Sequence, residues 1–335
     1  MNTEIKKWED ICEDFTEGLL LGNGSSISFH SEFAYKSLKQ HAVDAGLIKG
    51  DVEKIFKSFH TEDFELVLRI VWHAYHVNEA LGIEDKQTQT AYEAIRNSLI
   101  NAVRDIHCLH SDVTDKFDAA YKFAKRFSTI CSLNYDLTLY WVCMYGNYIK
   151  DGHIFKDCFL PRCFDDDWER FREPYGAQKE CSLFFYPHGN LVFARDKIEN
   201  ERKIQASDSE LLNSILKKWE NGSYVPLFVS EGTSDQKVKS IQSSYYLNTV
   251  YREVLPSLGK SVVIYGWGFG EHDLHIMNRI CKGGTLNFAV SVFPDGKEEA
   301  YCNKVSQIIK DASGSNRKKV DITFFCSKTS KECWS

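Results

Sequence analysis

Residues Leu19-Leu20-Leu21-Gly22-Asn23-Gly24-Ser25-Ser26-Ile27-Ser28 join an apolar run to two glycines and then to small hydroxyl side chains. A strand that breaks into such a turn and opens a helix can cradle a nucleotide pyrophosphate. Glycine lets the backbone approach the phosphates, and N–H groups at the helix N-terminus face the negative charge. The fingerprint of dehydrogenases needs a further glycine three residues after the second, and Ile27 stands there instead. Hydride transfer is therefore disfavoured, and an ordinary tight turn remains the competing reading of Gly22-Asn23-Gly24.

Four more groups of chemically capable residues follow apolar runs. They are Ser132-Leu133-Asn134-Tyr135-Asp136, Tyr186-Pro187-His188-Gly189, Val229-Ser230-Glu231-Gly232-Thr233-Ser234, and Tyr265-Gly266-Trp267-Gly268-Phe269-Gly270-Glu271-His272-Asp273. Open α/β sheets place their ligand crevice at such strand ends. Each group also has a plain structural reading. Asn134 and Asp136 are strong helix N-caps for a helix starting near Leu137, His188 could be a satisfied loop histidine, and Trp267 suits either adenine stacking or packing at a strand end. His73 and His76, like His107 and His110, have helical i, i+3 spacing, but no carboxylate or cysteine completes a metal site with them. No metal is expected.

The elements that must position these residues are legible as β-like runs at 17–22, 127–133, 182–186, 226–230, 261–266, 286–292 and 320–326, with helical patterns between most of them. Such alternation predicts an α/β fold: a Rossmann-like, doubly wound, mostly parallel sheet. Residues 35–125 form a helical insertion between the first and second core strands. Phe64, Val67, Leu68, Val71 and Tyr75, then Tyr92, Ile95, Leu99, Ile100 and Val103, are spaced for one buried helix face. Residues 148–181, with Cys158, Cys163, Asp165-Asp166-Asp167 and Pro174, read as a loop or flap beside the site. No Gly/Ser-rich linker divides the chain, so 1–335 reads as a single α/β domain.

The chain has 335 residues, enough for a substantial core, and a formal net charge of -6, which gives no global footprint for nucleic acid. Its one basic patch, Arg317-Lys318-Lys319, reads as a solvated turn. Eleven cysteines are scattered through apolar stretches, among them Cys131, Cys143, Cys281, Cys302 and Cys326. With no signal peptide evident, these are expected to be buried thiols in a reducing cytoplasm. No apolar run approaches the roughly 18 residues that span a bilayer.

In their order along the chain, these motifs resemble the sirtuin-like family: Gly-x-Gly-x-Ser, then Asn-x-Asp after the second core strand, then His-Gly after a later one. The wording Leu-Gly-Asn-Gly, Leu-Asn-Tyr-Asp, Pro-His-Gly, Val-Ser-Glu-Gly and a late Tyr-Gly-x-x-x-x-Glu-x-Asp is similar to bacterial sirtuin-like domains of antiviral defence loci, over about residues 17 to 280. The resemblance implies NAD as substrate and cleavage of its nicotinamide–ribose bond through an oxocarbenium-like state. Asn134 would position a water or a ribose hydroxyl, Asp136 would orient that network or the nicotinamide end, and His188 would act as general base. Gly22, Asn23, Gly24 and Ser26 would cradle the diphosphate, and Gly266 and Asp273 would lie near the adenosine half. Ser230 and Glu231 would contact ribose.

Sirtuin deacylases carry a four-cysteine zinc module. This chain has no Cys-x-x-Cys pair, and Cys158 with Cys163 is its nearest approximation, so no zinc ribbon is expected. Without that wall of the acyl-lysine groove, water becomes the acceptor. The expected protein is an NAD glycohydrolase yielding nicotinamide and ADP-ribose, a toxic effector of antiphage defence held inactive until triggered. A homo-oligomer or a separately encoded partner, such as a motor ATPase, would impose that restraint through the helical insertion. The alternatives are a non-hydrolysing NAD or ADP-ribose sensor and an NAD-dependent protein deacylase. No membrane contact and no direct nucleic-acid binding are expected.

Overall fold

The computed structural model describes residues 4–34, 37–314, 320–328 and 333–334. The Arg317-Lys318-Lys319 patch lies outside the described residues. The strands are β1 (Ile5–Lys6), β2 (Gly18–Leu21), β3 (Thr129–Ser132), β4 (His153–Lys156), β5 (Phe159–Leu160), β6 (Cys163–Phe164), β7 (Glu180–Phe185), β8 (Gly189–Arg195), β9 (Glu201–Lys203), β10 (Val225–Phe228), β11 (Ser261–Tyr265), β12 (Asn287–Val292) and β13 (Asp321–Cys326). The helices are α1 (Asn23–Phe29), α2 (Leu38–Asp44), α3 (Asp51–Ser58), α4 (Phe64–Leu81), α5 (Lys86–Ile106), α6 (Phe117–Ala124), α7 (Thr138–Ile149), α8 (Leu211–Glu220), α9 (Ser234–Gln242), α10 (Tyr245–Thr249), α11 (Leu274–Lys282) and α12 (Glu298–Ser313).

The main sheet has eight strands in the order β1-β13-β12-β11-β2-β3-β7-β4. Every neighbouring pair in it is parallel. Residues of β2, β3 and β11 are buried without exception, as a parallel sheet covered on both faces requires. From β2 the chain builds outward through β3, β4 and β7, then crosses to the other side at β11. The direction of winding therefore reverses beside β2, and the loops after β2 and β11 meet at the switch point. This is a Rossmann-like, doubly wound α/β fold.

Two of the strand expectations are corrected. The run at 226–230 does not join the parallel sheet: β10 pairs antiparallel with β8, and β9 completes a separate three-stranded sheet. Apolar character marks a buried strand without saying which strand is its partner. The stretch 148–181 is not an irregular flap either. It supplies β4, the edge strand beside β7, and the β5–β6 hairpin. Its acidic run is engaged by Arg170 on Asp165 and by Tyr245 on Asp166.

Between Leu38 and Ala124 the regular elements are helices or short 3-10 turns. Asp63 caps α4 by accepting from Leu66 N at 3.0 Å, and Gly82 ends it in the left-handed conformation. Tyr75 and Tyr92 stack at 5.4 Å between α4 and α5. This helical layer packs α4 against β10 and α5 against α8, so it covers the small antiparallel sheet. All eleven cysteines are free thiols: Cys131, Cys143 and Cys302 are buried, whereas Cys281 and Cys326 are half-buried. Among the described residues no helix is long and apolar enough to cross a membrane.

Candidate functional site

The turn after β2 is held by the loop after β11. Gly22 N donates to Tyr265 O at 2.9 Å, Gly24 N to Gly266 O at 2.7 Å, and Ser25 N to Gly22 O at 2.9 Å. A Cβ on Gly22 would lie 2.6 Å from Trp267 Cα, and one on Gly24 would lie 2.8 Å from Gly266 Cα. The glycines are required here because backbone meets backbone. The N–H groups of Gly22 and Gly24, expected to face a diphosphate, thus already have carbonyl acceptors, and Asn23 donates its amide to Phe33 O at 3.1 Å. Trp267 stacks on Phe269 at 4.2 Å, which is the packing reading of that residue. Trp334, near the C-terminus, donates its indole N–H to Ser25 O at 3.0 Å.

Asn134 joins this construction. Its Nδ2 lies 3.0 Å from Gly22 O, 3.1 Å from Ser25 Oγ and 2.7 Å from Ser26 Oγ. Ser26 Oγ in turn donates to Asp136 Oδ2 at 2.5 Å, and Asp136 Oδ1 accepts from Thr138 N at 2.8 Å. Asp136 therefore caps the first turn of α7, and both residues of the Asn-x-Asp motif tie β3 to α1. Ser230 and Glu231 turn elsewhere, toward the helical layer. Ser230 Oγ lies 3.4 Å from Glu65 Oε2, and Glu231 Oε1 accepts from Lys39 N at 2.9 Å. Burial pushes Glu231 up to about 7 and Glu65 well above the carboxylate range.

A second cluster forms around His188, in the turn between β7 and β8. Gly189, at φ 79, lets the chain reverse, and a Cβ there would lie 2.3 Å from Leu227 O. His188 O accepts from Val229 N at 2.7 Å, which fixes the turn against the end of β10. The His188 ring is buried, and its Nε2 lies 3.1 Å from Nε2 of His275 and 3.9 Å from Oδ1 of Asp273. Lys237 donates to the same Asp273 oxygen at 2.8 Å, and Ser234 Oγ lies 3.1 Å from His275 Nδ1. The structure thus sets Asp273 beside the imidazole of His188.

Burial brings His188 down to about 3 and His275 down to about 4, against an opposing pull from Asp273, so both rings are neutral at physiological pH. Burial pushes Asp273 up, but the charges of His188 and Lys237 and the Lys237 hydrogen bond bring it below the ordinary carboxylate range. The Leu133 carbonyl, one residue before Asn134, also touches the His188 ring. The two clusters are therefore neighbours at one sheet edge, while their side chains point to different partners: Asn134 to the glycine turn, His188 to His275 and Asp273.

His275 and Lys237 were not singled out from the sequence, and Ser234 entered only as the last residue of the Val229-to-Ser234 group. Ser234 and Lys237 are one turn apart on α9, and His275 follows Asp273 by two residues at the start of α11, so the only local signal was that spacing. His107, by contrast, is a structural histidine whose Nε2 accepts from Leu137 N at 3.0 Å. A cavity of about 20 Å³ lies between α4 and β10, and a groove of about 470 Å³ runs past Asp166 and Arg252. Neither is lined by Gly22, Asn134 or His188.

The fold and its edge define a doubly wound α/β protein with a nest of two buried histidines and a half-buried aspartate beside its topological switch point. More particularly, the chain belongs to the family described as a domain of unknown function (DUF4917), whose model matches residues 19–334. No curated protein matches it.

Proposed function

We propose that this protein is an NAD glycohydrolase that releases nicotinamide and ADP-ribose, with His188 as the general base. The observation that carries the reading is a buried, neutral imidazole at the C-terminal edge of the sheet. It sits against the Leu133 carbonyl on the strand end that presents Asn134 and Asp136, in the same motif order as the sirtuin-like family. Asn134 and Asp136 act in this reading as positioning residues, holding the turn after β3 against the glycine loop. Water, admitted beside His188, attacks C1′ of the ribose as neutral nicotinamide leaves, and the imidazole takes the proton.

The nest is closed in the form described, and a ring at about 3 is a poor proton acceptor near neutrality. Burial is the main cause of that depression, so opening the nest to substrate and water moves His188 toward its ordinary value of about 6.5 and makes it a working base. Such a protein is inactive at rest and active when a trigger loosens the loops over it. Antiphage defence, and restraint by self-association or by a partner such as a motor ATPase, fit that design.

The engagement of the Asn134 amide by Gly22, Ser25 and Ser26 favours one second reading, a module that binds NAD or ADP-ribose without cleaving it. Incubation of purified protein with NAD, with and without an acetylated peptide, separates the readings when free nicotinamide is followed by chromatography. Release without peptide supports the glycohydrolase, and release only with peptide makes the protein a deacylase. Binding without release supports the sensor. The His188→Ala chain expressed in cells supplies the control: wild-type toxicity and NAD loss that vanish in the variant support cleavage, and toxicity that persists overturns it.

A further inference from the structure

We propose that His188, His275 and Asp273 form a binding site for a borderline divalent transition-metal ion of the Zn²⁺ or Fe²⁺ class. One ligand atom from each lies within 4.8 Å of the other two. The two Nε2 atoms are 3.1 Å apart. Nitrogens bound to one ion at about 2.0–2.1 Å, with an angle between square and tetrahedral, are separated by about 2.9–3.4 Å. Two histidines and one carboxylate that leave positions open on the ion form a ligand set of this metal class.

The tautomers point the same way. Backbone carbonyls of Leu133 and His272 favour a proton on the His188 and His275 rings. The two Nε2 atoms face each other at 3.1 Å and Ser234 Oγ meets His275 at Nδ1, so a ring that carries its proton on Nδ1 turns its Nε2 lone pair toward the place of the ion. Metal-bound histidines use the other ring nitrogen for such an outer carbonyl. Lys237 competes for the Asp273 carboxylate, which makes the site weaker than an unencumbered triad.

The inference does not rest on NAD chemistry, because it is read by metal spectroscopy alone. A bound ion would occupy the lone pair that base catalysis uses, so saturable binding at this site would remove His188 as the base, while absence of binding leaves the glycohydrolase reading standing. Chelator-stripped full-length protein is titrated with Co²⁺ while its visible d–d absorption and its near-ultraviolet thiolate charge-transfer region are followed. Saturation at one Co²⁺ per chain without thiolate bands, reversed by added Zn²⁺, supports the site. Binding that carries thiolate bands assigns the ion to cysteine and overturns it, as does absence of saturable binding. His275→Ala and Asp273→Asn should each weaken Co²⁺ binding at least about tenfold, and unchanged affinity in either overturns the assignment. Wild-type spectra decide the question even where a variant does not fold.

Discussion

The turn after β2 and the turn after β7 stand at the same edge of one parallel sheet, separated by β3 alone, yet they use polar groups in opposite ways. Around Gly22 and Gly24, N–H groups, the Asn134 amide and the Asp136 carboxylate end on protein partners, and two glycines allow the loops to touch. Around His188, two buried imidazoles and a half-buried carboxylate converge on each other with a lysine beside them, held neutral or charged by that placement. A group fully spent on its neighbours holds a fold together. A buried imidazole that meets only another imidazole and a shared carboxylate has chemistry in reserve. The same motif vocabulary produced both, and only the partners distinguish them.

The sharpest way to break the comparison is acid. Buried histidines with depressed folded values resist protonation that the unfolded chain accepts, so stability is full above the unfolded value of about 6.5 and is lost as pH falls below it. Between about pH 7 and about pH 5, His188 and His275 should together cost on the order of 4 kcal/mol, about 2 per ring. Buried Glu231 and Glu65, whose values are raised, gain stability over the same interval, so the histidine contribution is read as the difference between denaturant melts of the wild type and of a His188→Gln, His275→Gln pair. Profiles of identical slope would mean that the nest is hydrated.

Gly189→Ala should come next. It places a side chain at φ 79 with its Cβ 2.3 Å from Leu227 O, a combination of backbone strain and clash worth about 3 kcal/mol. Gly268→Ala, with nothing within 4 Å of the added atom, is the matched control and should be near neutral in a thermal melt.

Two substitutions then sharpen the division of labour. His188→Ala should reduce nicotinamide release at least about a hundredfold, with the fold retained by circular dichroism. Asn134→Ala removes the amide that reaches Gly22, Ser25 and Ser26. It should lower stability by about 1–3 kcal/mol while changing turnover per folded molecule less than His188→Ala does. A reversed ranking in steady-state assays would exchange the roles assigned to the two turns.

Much of the fold was legible because it is written locally. Leu19-Leu20-Leu21 and Val262-Val263-Ile264 announce buried strands by composition. The period of Phe64, Val67, Leu68 and Val71 announces a helix whose face is indeed buried. The capping reading of Asp136 was available beside the chemical one, and Thr138 N confirms it. By contrast, β4 looked irregular because a short edge strand of His-Ile-Phe-Lys carries little pattern. β10 went to the wrong sheet because its apolar residues do not encode a partner.

By itself the sequence determined the alternation of strands and helices, the glycine turn, and the position of a histidine at a strand end, since propensity and periodicity act over a few residues. Only the tertiary structure decided that the N–H groups of the glycine turn close onto the Gly266 loop, and that α9 and α11 bring Lys237, Ser234, Asp273 and His275 around His188. Those contacts join residues far apart in the chain, 87 positions in the case of His188 and His275. Burial, which sets their protonation, is a property of the packed whole rather than of any segment.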